Sequence, residues 1–550
     1  MLRAPAIRSF LLVTALLGLV ACGKQADERV SKSGSSARAQ GPTLALEAQS
    51  VPDELARLVP ADTMMLLYIP SLARAEAGVQ AIAKAIDPAA EPPNVAGDML
   101  GDLGVPLDLV DPERPIAFAM STPSPGEMPS PTVVLPIVDA GRVRKEFAPK
   151  NPASNLTVFE SYAVISTKAD YKPAARPARV MTSIPKGDFV LRLDLATVLA
   201  KFRPFLELAM MQQQRAAPPP NEAFSEGYRA GQELGMKWVR SWMDSAESMD
   251  LSATVSGTDI DLDVAFTVKE GSPMHGSPVK AASGLSALAR LLPASNDPVV
   301  CLVRIDRESI EDFMDPLLAS ISTLASENEK EFAAEFSGRL HEVVKTMGTH
   351  VAASMGFSEK SPEMTLVLQP DDPAAFAKLL EEMLRSAIEH GESAELVSTS
   401  EVKVDDVTVH RLDMRITDKS PRAVPVSGGK SKERVTELYV APAVVGERIV
   451  LVVGQSDERI EAAVRAAKGE GKLPEAAAKA FGDMDGNASF AAYVELRGLL
   501  KGLARLGGVD TVDLLQGAPI SCWAQRKSDG RTRIVSIHLD AAGLAEIATR

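Results

Sequence analysis

Leu55-Ala56-Arg57-Leu58-Val59-Pro60-Ala61 recurs as Leu288-Ala289-Arg290-Leu291-Leu292-Pro293-Ala294. An apolar strand follows in both places, Met64 to Ile69 and Val299 to Ile305. Further on, Ile116-Ala117-Phe118-Ala119-Met120, a turn and Thr132-Val133-Val134-Leu135 correspond to Val351-Ala352-Ala353-Ser354-Met355, a turn and Thr365-Leu366-Val367-Leu368. Glu160 to Ser166 matches Glu447 to Val453. Each half then ends on a hairpin, Leu251 to Val268 and Ile520 to Leu539, the second turning at the hairpin dipeptide Asp529-Gly530. Matches that keep the same order predict a duplication. The expected domains are two homologous lobes, 51–275 and 276–550, joined through the Gly/Ser/Pro stretch from Gly271 to Ser283.

Within the halves a smaller unit repeats: an apolar strand, an acidic residue, then an amphipathic helix. Phe189 to Asp194 leads into Leu195, Val198, Leu199, Phe202, Phe205 and Leu206. Val299 to Asp306 leads into Ile310, Phe313, Met314, Leu317, Leu318 and Ile321, and Tyr493-Val494-Glu495 into Leu496, Leu499, Leu500 and Leu503. That spacing is the stripe of a helix packed on one side. Pro204 and Pro316 should kink or end their helices. Recurring hairpins argue for an α+β class: mainly antiparallel sheets with amphipathic helices on one face. Asp259, Asp261 and Asp263 alternate with Ile260, Leu262, Val264 and Phe266, which predicts a sheet with one wet face.

At the start of the chain, Arg3 and Arg8 precede an apolar run from Phe10 to Val20 that ends in Leu19-Val20-Ala21-Cys22. A basic start, a short apolar core and a small-residue site make a secretory signal. The run is far shorter than the roughly 20 residues that span a bilayer. Leu19-Val20-Ala21-Cys22 resembles the lipobox of bacterial lipoproteins. The resemblance implies a signal peptide over 1–21 and lipid attachment at Cys22. It also implies export across the inner membrane and an acyl-anchored body in the cell envelope. Gly23 after the cysteine favours the outer membrane over the inner by that family's sorting rule. Residues 22–50 read as the lipidated cysteine and a flexible tether. The tether would reach on the order of 25–30 Å as a random coil.

The body of the chain, with its Leu-x-Pro-Ala turns and the strand-to-helix passage Ile449-Val450-Leu451-Val452-Val453-Gly454-Gln455-Ser456, resembles an uncharacterised group of secreted bacterial proteins built from duplicated α+β modules. No established activity travels with that resemblance.

The 550 residues, 45% hydrophobic and 24% charged, suffice for more than one core. A net charge of -14 repels phosphate backbones and excludes nucleic acid as the expected partner. It leaves the acyl chains on Cys22 as the expected membrane contact. Beyond Cys22 stand Cys301, in an apolar strand, and Cys522, just before Trp523. The compartment permits disulfides, so two buried free thiols and a Cys301–Cys522 bridge both stay open.

Sites for chemistry are sparse. Asp194 and Asp306, two residues after Arg192 and Arg304, read as caps of the following helices. Asp259, Asp261, Asp263 and Glu270 imitate part of a calcium loop but lack its glycine, Val264 standing there. Ser427-Gly428-Gly429-Lys430-Ser431 lacks the leading glycine of a phosphate loop and reads as an exposed loop. Gly454-Gln455-Ser456 lacks the closing glycine of a nucleophile elbow, so Ser456 reads as a helix N-cap. Ser183-Ile184-Pro185-Lys186 has no helix to bring Lys186 to Ser183. The histidines at 275, 341, 350, 390, 410 and 538 show no metal-ligand spacing. Met64-Met65 and Met210-Met211 read as core filling, and Trp238 and Trp242 share one helix face.

These readings name no catalytic residue, metal or cofactor. They predict a non-enzymatic, lipid-anchored envelope protein that binds a partner or an apolar ligand. The alternatives are a structural component of an envelope assembly, and a hydrolase whose site is assembled from distant segments.

Overall fold

In the computed structural model the described residues run from 45 to 540. Left out within that range are 87–90, 123–128, 148–153, 169–170, 217–235, 237–238, 273, 276–284, 294–296, 305–329, 359–360, 390–393, 419–433, 483–487, 508–520 and 529–530. The class is α+β, and the strand pairings are antiparallel. The chain forms two compact units. One draws its described residues from 32–215, 242–278 and 528–550, the other from 216–241 and 279–527.

The first unit contains β1 (Thr63–Ile69), β2 (Ile116–Ser121), β3 (Ser130–Pro136), β4 (Asn155–Val158), β5 (Tyr162–Ser166), β6 (Phe189–Leu193), β7 (Ala246–Ser256) and β8 (Asp259–Val268). Its helices are α1 (Asp53–Leu58), α2 (Leu72–Ile86), α3 (Val95–Leu103), α4 (Ala140–Glu146) and α5 (Leu195–Ala216). Pairing runs β4–β5–β3–β2–β1–β6–β7–β8.

The second unit contains α6 (Leu285–Ala289), β9 (Val299–Arg304), α7 (Lys330–Thr346), β10 (His350–Phe357), β11 (Pro362–Leu368) and α8 (Pro373–Glu389). There follow β12 (Ala394–Val404), β13 (Val407–Asp418), β14 (Arg434–Val445), β15 (Arg448–Gly454), α9 (Asp457–Arg465), α10 (Glu475–Gly482), β16 (Phe490–Glu495), α11 (Leu496–Gly507) and β17 (Ser521–Ser528). Pairing runs β12–β13–β14–β15–β11–β10–β9–β16–β17.

The repeated segments of sequence occupy matching places in these two ladders. β1 and β9 are central, β2–β3 and β10–β11 lie on one side, and β6–β7 and β16–β17 lie on the other. One difference stands out. Where the first ladder ends in the four-residue β4, the second continues through β14, β13 and β12, each eleven or twelve residues long.

A second difference concerns the end of the expected second lobe, 276–550. The final strand is β18 (Thr532–Asp540). It pairs with β8 from Thr532 opposite Thr267 to Asp540 opposite Asp259, and belongs to the first unit. An apolar alternation such as that of β8 would leave a row of open backbone groups at an edge, and β18 satisfies them.

The packing also departs from a single helix-covered face. In β9, Val300 and Leu302 join a core with α6, α9 and α10, while Cys301 and Val303 join another with α7 and α8. In the first unit Leu66 and Val164 pack with α1, whereas Val133 and Ile165 pack with α3 and α4. The sequence signal was the unbroken apolar run of 299–303, which belongs to a strand buried on both faces. At β8 Asp261 is exposed, but Asp259 and Asp263 are half-buried, as are Leu262 and Val264, so burial does not divide this strand into a wet and a dry face.

Candidate functional site: a charged face on β12 to β14

Residue alternation places Arg411, Asp413 and Arg415 of β13 on one face. Antiparallel pairing sets Asp413 opposite Tyr439 and Arg415 opposite Glu437 of β14, with Glu395 opposite Arg415 on β12. At the end of this face nearer α9 the side chains are apolar and covered, as with Val409, Ala441 and Ala443. At the other end a cavity of about 620 Å3 opens, lined by Ser398, Arg411, Asp413, Glu437, Tyr439 and Gln455, with Val397 and Val435 exposed beside it.

Tyr439 is the floor. Its ring is buried, its hydroxyl donates to the Ser456 carbonyl at 2.5 Å, and the Arg411 guanidinium lies 4.7 Å above it. Burial, with Glu363 nearby, raises the Tyr439 pKa, so it stays a neutral donor. Arg411 donates to Asp413 at 2.7 Å and also pairs with Asp457 at the start of α9. Ser398 donates to the other Asp413 oxygen at 2.8 Å. Further out, Arg415 bridges Glu437 at 3.0 Å and Glu395 at 3.4 Å, and the Glu437 hydrogen bond raises its pKa. Gln455 donates to the Glu437 carbonyl at 2.8 Å and accepts from Ser358 at 3.1 Å. Each cation here sits between two carboxylates, so the face is a fixed alternation of charge. Such an arrangement recognises a complementary surface.

Behind the floor lies a buried ion pair. Arg459 of α9 meets Asp297 at 2.8 and 3.1 Å and reaches Glu363 at 3.5 Å. It ties α9 to the sheet and so fixes Asp457 and Ser456.

Of the residues singled out in the sequence, Cys22, Asp306, Pro316, Ser427 to Ser431, His390 and Trp238 lie outside the described residues. Cys301 and Cys522 are free thiols. Cys301 faces Ala492 and Cys522 faces Val494 on opposite sides of β16. Two strand spacings put them about 10 Å apart, beyond disulfide reach. The bridge is therefore excluded.

Asp194 caps α5, accepting from the Thr197 amide at 3.0 Å, while Arg192 pairs with Asp250. Ser456 holds the N-cap position of α9 without a side-chain cap bond. Ser183 has φ 54°, and Lys186 turns to Glu47 at 3.3 Å, so the pair is apart. Asp261 accepts from His538 Nδ1 at 2.8 Å. Met64 is core, Met211 is exposed, and Trp242 stacks on Phe266. α5 continues through Pro204 to Ala216, because one proline removes a single helical bond while the flanking turns keep theirs. Among the described residues no three His, Cys, Asp or Glu side chains gather as a metal site. Sequence reasoning missed the β13 face. Its signal was the period-two Arg411-x-Asp413-x-Arg415.

No family model matches the chain, and no curated protein does. Among solved structures it is similar to crystal forms of TP0453. Crystal form III is 11% identical at a TM-score of 0.23, covering 48% of this chain and 97% of that one. Crystal form IV is 11% identical at 0.24, covering 49% and 98%. Likeness that low carries no argument about this chain. Among the described residues no helix is long and apolar enough to cross a membrane.

Proposed function

We propose that this is a non-enzymatic, lipid-anchored envelope protein whose second unit binds a protein partner at the charged face of β12 to β14. Cys22 carries the acyl chains, and the outer membrane is the proposed site. The observation that supports partner binding is the asymmetry of the repeat. Among the described residues the extension exists in one ladder only, and it carries the polar cavity with the Arg411–Asp413 and Arg415–Glu437 pairs. Function is commonly grafted onto a fold at such an elaboration. The alternating charge calls for a partner with its own charges and hydrogen-bonding groups rather than an apolar ligand.

The test is site-specific photo-crosslinking from Val435 or Ser398 in intact envelopes. A discrete protein adduct that disappears in Arg415→Glu supports the proposal. A face that gives no adduct, or one indifferent to Arg415→Glu, refutes it.

A further inference from the structure

Helix α5 carries apolar surface that its own unit leaves open. In its first turns Leu195 and Leu199 are buried. The same stripe continues at Phe202 and Leu206, but past Pro204 the helix is uncovered. Phe205 is 69% exposed, Leu208 49%, Met211 45% and Leu206 41%. At about 100° per residue these four side chains spread over roughly 220° of the helix circumference. The orientation is held at Arg203, which binds Glu207 at 2.8 Å and Asp244 at 2.6 Å.

Apolar side chains over more than half a helix's girth are not covered by one protein surface, which shields one side. A medium that surrounds the helix covers them. The charge of the segment points the same way. Within Leu195–Ala216 the sequence has Lys201, Arg203 and Arg215 against Glu207; with Arg203 held by Glu207 and Asp244, Lys201 and Arg215 are the excess, in a chain whose net charge is -14. A locally cationic, widely apolar helix on an acidic protein is suited to an anionic lipid interface.

We propose that the part of α5 after Pro204 inserts into the lipid surface, with Phe205, Leu206, Leu208 and Met211 in the apolar layer and Lys201 at headgroups. This rests on the anchoring proposed at Cys22, which keeps the first unit within tether reach of the bilayer. The helix is then a second, non-covalent attachment that orients the body.

The experiment uses the mature chain from residue 22 with Cys22→Ala, so that no acyl group contributes. Flotation is measured with vesicles of phosphatidylethanolamine and phosphatidylglycerol, and with phosphatidylcholine alone. The expected result is binding to the anionic vesicles, weaker binding to phosphatidylcholine, and about a tenfold or larger loss in Phe205→Ser/Leu208→Ser. Thermal unfolding of the double variant should be unchanged or raised.

Absence of binding, or binding indifferent to the double substitution, overturns the proposal. So does a lowered unfolding temperature, which would mean that the chain itself covers the stripe. So does a dimer that the substitutions dissociate, which would mean that a second copy covers it. Acyl labelling of the unsubstituted protein tests Cys22 separately, so the two readings fail independently.

Discussion

Arg459 on α9 and Asp297 ahead of β9 form a two-pronged ion pair at 2.8 and 3.1 Å, with 8% and 5% of their side chains exposed. Removing one partner leaves a buried charge uncompensated, at about 3–5 kcal/mol. Asp297→Ala should therefore lower the unfolding free energy of the second unit, read by urea denaturation, by about the lower end of that range, because Glu363 still faces Arg459 at 3.5 Å. Arg459→Leu/Asp297→Leu should recover part of it, because only the Glu363 carboxylate, 15% exposed, is then left without its partner. A Cβ at Gly356 would lie 2.3 Å from Asp297 Oδ1, so Gly356→Ala should displace the pair and destabilise as well. A single substitution within experimental error of the parent would contradict the geometry.

His350 opens β10 beside Arg304. Burial, and then the Arg304 charge, lower its pKa from 6.5. The unfolded chain thus takes up a proton on this histidine at a higher pH than the folded one. Its contribution to stability is present above about pH 6.5 and is lost as pH falls from there toward the depressed folded value. His350→Gln should flatten that part of the stability–pH curve, read by chemical denaturation at several pH values. An unchanged slope would sink the assignment.

The two thiols should be reduced and inert in the native protein. Burial pushes Cys301 up to about 12 and raises Cys522 also. Ellman's reagent at pH 8 should react slowly or not at all with the folded chain and with both thiols after guanidinium unfolding. Equal mobility on reducing and non-reducing gels should accompany it. Rapid native labelling of Cys301 would place that strand elsewhere.

On the charged face, Arg415 and Glu437 are exposed partners, 39% and 69% at their side chains. Surface pairs contribute about 0–1 kcal/mol. Arg415→Ala should leave the unfolding midpoint nearly unchanged while it weakens crosslinking from Val435. Loss of both together would assign Arg415 to stability rather than to recognition.

The repeat was legible because apolar periodicity is local. The runs at 64–69, 116–120, 132–135 and 162–166 and their counterparts became β1, β2, β3, β5 and β9, β10, β11, β15. The Asp194 cap was legible for the same reason, since a cap involves residues three apart. What the pattern at 299–303 left ambiguous was which helices cover which face. That depends on segments distant in the chain, such as α7 and α10, docking on alternate side chains of one strand.

The sequence by itself determined the α+β class and the places of most strands, because alternation and turn residues act over a few positions. Only the tertiary structure decided that Cys301 and Cys522 stand on opposite sides of β16, and that β18 pairs with β8. It also decided that Arg411, Tyr439 and Asp457 meet across β13, β14 and α9. Backbone hydrogen bonding fixes such neighbours at a few ångströms whatever their separation in sequence, and one-dimensional periodicity carries no record of that choice.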